Sequence, residues 1–323
     1  MNSNINNLPK LYPTQDTIHI PESHANLQTI IAEPWYEVSK DALQLEGLCF
    51  DRTGKNLFFC EVFGGTVFKL ALPEKKLSTI QEPKGYSVGA VKLHKDGRVF
   101  ICGMGDLTGK GGVFAVQPDG SNYETILDPG LDYCVDDLAF DKKGGFYFTD
   151  FKGGATFLDG GVYYVSPDYK TVTPIIQNLA IANGVAMAPD YKSIWATEVA
   201  GNRVFHVELL EDGVTIAPFG CAVMAHLTGG LGPDSCCVDE AGNLYIAMYN
   251  QGRILVLNRY GFPIGQIRLP ESIHGQMLRS TAIAFVPESD QVIICSNDGP
   301  GGKGSWLYTA RGFAQYHKTY QYL

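Results

Sequence analysis

Basic side chains are few and scattered in this chain, and that scarcity removes several functions at once. Lys and Arg number 25 against 34 Asp and Glu in 323 residues, a formal net charge of −9, and no stripe of Lys or Arg runs along any segment. The electrostatic footprint of a phosphate-backbone binder is missing, so nucleic acid is excluded as a partner. No apolar run reaches the ~18 residues of a spanning helix, and no membrane span is expected. Met1 to Pro9 is rich in Asn and has no basic stretch followed by an apolar one, so a secretory leader is not expected.

Other absences narrow the chemistry. The eight cysteines, at 49, 60, 102, 134, 221, 236, 237 and 295, form no C-x-x-C pair. Most sit in apolar segments such as Leu57-Phe58-Phe59-Cys60 and Val292-Ile293-Ile294-Cys295. They read as buried free thiols of a cytoplasmic protein. A serine-nucleophile mechanism is set aside on the expectation that no G-x-S-x-G elbow is present. The histidines, at 19, 24, 94, 206, 226, 274 and 317, lack metal-ligand or catalytic partner spacing. His206 reads as packing, while His226 and His274 fall in loops. A convincing helical period is missing as well.

What is present is a repeat. Six short apolar strands begin at equivalent positions, occupied by Glu46, Gly89, Asp136, Asn183, Asp234 and Thr281, at spacings of 43, 47, 47, 51 and 47 residues. Each unit adds a turn rich in Gly, Asp or Asn, as in Lys95-Asp96-Gly97, then a second, a third and a weaker fourth strand. The third strands are the most alike, among them Gly65-Thr66-Val67-Phe68, Gly112-Val113-Phe114 and Gly161-Val162-Tyr163. Four antiparallel strands repeated six times predict an all-β, six-bladed β-propeller. A β-helix uses shorter repeats without hairpin turns and fits less well.

Residues 1–26 read as an N-terminal extension and 27–323 as a single propeller domain. The segment 27–34 echoes 77–83, the fourth strand of the first unit, so an N-terminal strand is expected to complete the last blade. Residues before about Leu8 have no repeat partner and are expected to be loosely held. The connections before the first and after the second strand share one rim and include the long loops 103–112, 152–161, 221–233 and 298–304. That rim is the expected site of chemistry.

Glu46, Asp136, Asn183 and Asp234 would converge there. A single Asp or Asn before a strand is usually a turn former, but four in register form one site. Three carboxylates without a cation would repel one another, and a divalent ion relieves the repulsion. Oxygen-only ligation suits Ca2+, with Mg2+ or Mn2+ as alternatives, rather than Zn2+. Tyr249, Phe151 and Met104 end second strands at the same rim, whereas Trp195 and Trp306 fill gaps between blades.

Leu45-Glu46-Gly47-Leu48, Ala182-Asn183-Gly184-Val185-Ala186 and Gly232-Pro233-Asp234-Ser235 resemble the metal-site motifs of the gluconolactonase, regucalcin and senescence-marker-protein family. The resemblance spans about residues 40–310. Cys134-Val135-Asp136-Asp137 and Pro233-Asp234-Ser235-Cys236-Cys237 are most similar to the drug-responsive bacterial calcium-dependent lactonases. Many family members carry Asn where this chain has Asp136.

The resemblance implies hydrolysis of a small-molecule lactone. Asp234 would be the acid/base, Glu46, Asp136 and Asn183 would hold the ion, and Ser235 would add a contact. Asp234, Asp136 and Glu46 are thus the expected catalytic carboxylates. A second, structural Ca2+ is expected at Thr108, Asp128 and Tyr133, near Asp106 and Asp132. Three rival readings stay open: a paraoxonase-like aryl esterase, a non-catalytic calcium-binding propeller, and a strictosidine-synthase-like condensing enzyme. No feature dictates an assembly state.

Overall fold

The computed structural model describes residues 20–81 and 84–323. His19 and the Met1 to Pro9 segment lie outside the described residues. Two N-terminal strands, β1 (Gln28–Ile31) and β2 (Glu33–Ser39), come first. Blade one is β3 (Leu45–Phe50), β4 (Asn56–Glu61), β5 (Thr66–Ala71) and β6 (Lys76–Gln81). Blade two is β7 (Ser87–Leu93), β8 (Val99–Gly105), β9 (Gly112–Val116) and β10 (Glu124–Leu127). Blade three is β11 (Val135–Phe140), β12 (Phe146–Asp150), β13 (Gly160–Val165) and β14 (Val172–Leu179). Blade four is β15 (Ala182–Met187), β16 (Ser193–Glu198), β17 (Arg203–Leu209) and β18 (Ile216–His226). Blade five is β19 (Pro233–Val238), β20 (Leu244–Met248), β21 (Arg253–Leu257) and β22 (Pro263–Arg268). Blade six is β23 (Arg279–Phe285), β24 (Gln291–Asn297) and β25 (Ser305–Arg311), completed by β2.

Burial explains this order of strands. The inner strand β3 is buried at every residue, while the outer strand β6 is largely exposed. One apolar cluster fills each of the six joints between blades. Phe58, Val67, Val91 and Phe114 fill the joint of blades one and two, and Leu57, Phe59, Ile293 and Leu307 fill that of blades six and one. Each blade thus buries its neighbour's face, and closure of the ring is what completes the last joint.

The ring closes as the repeat predicts, with β2 antiparallel to β25 from Glu33–Thr309 to Ser39–Ser305. The closing strand lies downstream of the segment expected for it. Residues 28–31 instead run parallel to β22 as a fifth strand of blade five. Side chains account for the choice: β2 brings Trp35, Tyr36 and Val38 to the last joint, whereas Ile30 packs on the blade-five side.

The C-terminal segment crosses the face opposite the long loops, a feature the repeat gives no sign of. Tyr316 N–H bonds Ser289 O (2.9 Å), Tyr191 OH donates to Lys318 O (3.0 Å), and Tyr320 OH meets His94 Nε2 (3.2 Å). Behind it lies a cavity of about 140 Å3, lined by Phe50, Leu138, Met187, Phe285 and the tail. The tail therefore covers one end of the axial channel.

Candidate metal centre

Every inner strand slips its pairing register at the position singled out by the repeat. The breaks fall at Glu46/Cys49, Val88/Ala90, Val135/Leu138, Ala182/Val185, Pro233/Cys236 and Ser280/Ala282. A bulge inserts an extra residue and re-aims a side chain, so six bulges in register can turn one side chain per blade toward the axis.

The inner strands also approach closely at this level. A Cβ on Gly89 would lie 2.4 Å from the Asp136 carbonyl oxygen and 2.8 Å from Asp136 Oδ1. Gly89 is thus the position where blade two yields space to the aspartate of blade three. Small polar groups on the second strands tie the inner strands together. Thr197 Oγ1 accepts from Gly184 N (2.7 Å) and donates to Asp234 O (2.8 Å), and Thr149 Oγ1 donates to Asn183 O. Cys60 and Cys295 fill similar places, with Sγ 3.5 Å from Glu46 O and from Leu45 O respectively. All eight cysteines are free thiols.

The structure brings the carboxylates together. Glu46, Asp136, Asn183, Asp234 and Ser235 are all buried. Ser235 Oγ donates to Glu46 Oε2 (3.3 Å), and Ser235 N–H donates to Asp234 Oδ1 (3.1 Å). Burial, then the charges of Asp234 and Asp136, hold Glu46 well above the usual carboxylate range. Asp136 is raised by burial and by Asp234 and Asp137. Asp234 is pushed up to about 7 by burial, against hydrogen bonds from Asn183 and Ser235 N–H. The other polar end of Asn183, Oδ1, is buried with no partner among the described residues.

This donor set fits a hard divalent cation. Its groups are oxygens, its carboxylates repel one another, and it holds an orphaned amide oxygen. Among the described residues no group of three or more His, Cys, Asp and Glu is placed to hold a metal ion by itself. The fit therefore rests on a mixed set in which Asn183 and Ser235 join the acids.

Two residues beneath the site escaped the sequence reading. Lys92 Nζ pairs with Asp137 Oδ1 at 2.8 Å, and Asp137 also accepts from Leu138 N (2.8 Å) and Val185 N (3.2 Å). Burial pulls the Lys92 ammonium down, but its pairing with Asp137 outweighs this and holds it above its ordinary range. The available signal was Lys92 itself, a single cation in the apolar strand Ser87–Leu93.

On the second expected site, the loops do meet: Gly111 N–H donates to Tyr133 O (2.6 Å), and Lys110 N–H to Asp132 Oδ1 (3.0 Å). Their oxygens already have protein partners. Thr108 Oγ1 donates to Asp106 Oδ1 (2.6 Å), and Asp128 Oδ1 accepts from Gly130 N (2.7 Å).

Residues 45–296 match the family described as SMP-30/Gluconolactonase/LRE-like region. The chain belongs to this family. A Staphylococcus saprophyticus protein named lactonase drp35 is 56% identical over 304 residues, 94% of each chain. A Staphylococcus haemolyticus lactonase drp35 is 51% identical over 98% of each chain. Among solved structures, the calcium-binding protein regucalcin from Agrobacterium tumefaciens superposes with a TM-score of 0.72 at 16% identity, covering 90% of this chain and 99% of its own. That likeness shows the shared propeller.

Within this family frame, the rim of the site is partly apolar. Val62, Met104 and Cys134 form a buried cluster with Phe151 packed on it. Tyr249 lies near enough to feel the charges of Arg279, Asp234 and Glu46, although burial is the main cause of its raised pKa. His226 and His274 are exposed, whereas His206 packs on Trp195 with ring centroids 4.5 Å apart and the planes tilted by 51°.

The sequence does contain one G-x-S-x-G string, Gly85-Tyr86-Ser87-Val88-Gly89, contrary to the expectation of none. Ser87 opens strand β7 and is followed by strand, not helix, and His94 lies beyond the strand's far end. The strand-to-helix turn that exposes a nucleophile is therefore missing at this string.

Proposed function

We propose that this chain is a metal-dependent lactonase whose centre is Glu46, Asp136, Asn183 and Asp234, with Ser235 in support. The observation that carries the reading is the buried convergence of these oxygens, with Asn183 Oδ1 left unpartnered. The family and the lactonase relatives support the reaction class.

When bound, a divalent cation, Ca2+ by preference, polarises the ester carbonyl and stabilises the oxyanion that forms on it. Glu46, Asp136 and Asn183 hold that ion. Asp234, steadied by Ser235 N–H and Asn183, takes a proton from the attacking water. The water oxygen bonds to the carbonyl carbon, the ring C–O bond breaks, and the same carboxyl returns the proton to the leaving alkoxide. The product is the open hydroxy acid. Eight free cysteines suit a reducing cytoplasm. A second, structural Ca2+ at Thr108, Asp128 and Tyr133 belongs to the same proposal.

The test is hydrolysis of a lactone panel, including dihydrocoumarin and gluconolactone, with and without chelator. Turnover that requires the metal and is lost in Asp234→Asn supports the reading. Failure to open any lactone with Ca2+, Mg2+ or Mn2+ supplied would overturn it in favour of a binding propeller.

A further inference from the structure

Two buried arginines face each other in blade five. Arg253 opens β21 and Arg268 closes β22, and they are directly paired in the antiparallel register. Arg253 is 0% exposed and Arg268 7%. Like charges directly opposite in a sheet are destabilising, and buried charges are normally neutralised. Among the described residues neither arginine has an acidic partner within ion-pair distance.

The internal repeat shows how unusual this is. At the end of the second strand, blades one, three and four carry Glu61, Asp150 and Glu198, each paired in register with the start of the third strand. In blade four the third strand begins with Arg203, and its guanidinium bonds Glu198 (NH2 to Oε1, 2.7 Å). Blade five keeps the arginine, but Met248 replaces the acid and Arg268 stands on the other side.

Neutral acceptors take up what they can. Arg253 donates through NH2 to Gln251 Oε1 (2.7 Å) and through NH1 to Gln266 Oε1 (2.8 Å), and the same NH2 also meets His24 Nδ1 (3.1 Å). Gln266 in turn holds the N-terminal segment through His24 O (3.2 Å) and Thr29 Oγ1 (2.9 Å). Arg268 is less well served: its NH2 lies 3.4 Å from Ser272 Oγ, and its buried Nε has no partner among the described residues. Burial and the charge of Arg268 bring Arg253 down to about 10.

We propose that Arg253 and Arg268, with Ser272 and His24, form a binding site for a small oxyanion at the junction of blade five and the N-terminal segment. The oxyanion is a free one, of the sulfate, phosphate or carboxylate class. Neutralising the pair would fasten the segment that leads into the ring-closing strand.

The experiment is thermal unfolding of the full-length, metal-loaded chain in sodium sulfate up to about 10 mM, against sodium chloride of matched ionic strength. Arg268→Gln is compared with wild type, with circular dichroism to confirm folding. Wild type is expected to show a saturable, sulfate-specific rise in melting temperature that Arg268→Gln lacks. Coincident sulfate and chloride curves in wild type overturn the proposal, as does a sulfate response retained in Arg268→Gln.

Discussion

Ser235 Oγ donates to Glu46 Oε2 at 3.3 Å, joining blade five to blade one across the apex of the ring. Blade six lies between those blades, so the contact measures how narrow the channel becomes at this level. Replacing Ser235 by Ala would leave Glu46 without this partner while removing little buried volume. The expected result is about 10- to 100-fold weaker Ca2+ binding by calorimetric titration, the usual cost of losing a group that orients a ligand. Unchanged affinity would place the cation elsewhere.

Asp234→Asn is expected to lower kcat for lactone opening by about 10²- to 10⁴-fold. The melting temperature of the metal-free variant should hold or rise, because one of several mutually repelling buried carboxylates is gone. Wild-type turnover in this variant would remove Asp234 from its assigned role.

Metal removal has a pH signature whose sign follows from the raised carboxylates. Glu46, Asp136 and Asp234 bind protons in the native state that the unfolded chain has released, so metal-free stability is present at low pH and lost as pH rises through their folded values, about 7 for Asp234. The difference in melting temperature between Ca2+-loaded and chelated protein should therefore widen between about pH 5 and pH 8. Taking the difference at each pH cancels groups remote from the metal. A gap that narrows with rising pH would contradict the cluster.

The ring and its axial oxygens were legible because a repeat converts local pattern into global position. Glu46, Asp136, Asn183 and Asp234 could be aligned before any coordinates, and all four are buried on inner strands. The Lys92–Asp137 pair was not legible, since strand alternation sends neighbouring side chains to opposite faces and only the bulge at Val135/Leu138 alters that rule for Asp137. The closing strand was misplaced by a few residues because the echo of 77–83 in 27–34 reflects edge-strand chemistry, whereas the joint selects Trp35, Tyr36 and Val38. The tail across the opposite face belongs to no repeat, so periodicity carries no information about it.

Gly89 is one of the six repeat positions, and a Cβ there would meet the backbone of Asp136 in blade three. Gly89→Ala would set a methyl group 2.4 Å from the Asp136 carbonyl oxygen, and backbone on both sides limits relaxation. The expected cost is about 1–3 kcal/mol by urea unfolding, together with weakened metal binding because Asp136 must shift. Full stability and affinity in this variant would mean that the two strands can separate freely.

His317 in the C-terminal tail sets a second pH dependence, of opposite sign. Burial, against the charge of Asp190, brings its imidazole down to about 4, and its buried Nε2 has no partner among the described residues. The unfolded chain takes up a proton near pH 6.5 that the native state refuses until about pH 4, so stability falls as pH drops through that window. One such group accounts for up to about 1.4 kcal/mol per pH unit and about 3 kcal/mol in all. His317→Gln keeps a neutral polar side chain and removes the titration. Urea unfolding at about pH 5 and pH 7 should show a smaller loss on acidification in the variant than in wild type. Equal losses in the two proteins would mean that the tail releases His317 to solvent before the blades unfold, and the closed end of the channel would then be a local opening rather than part of the cooperative core.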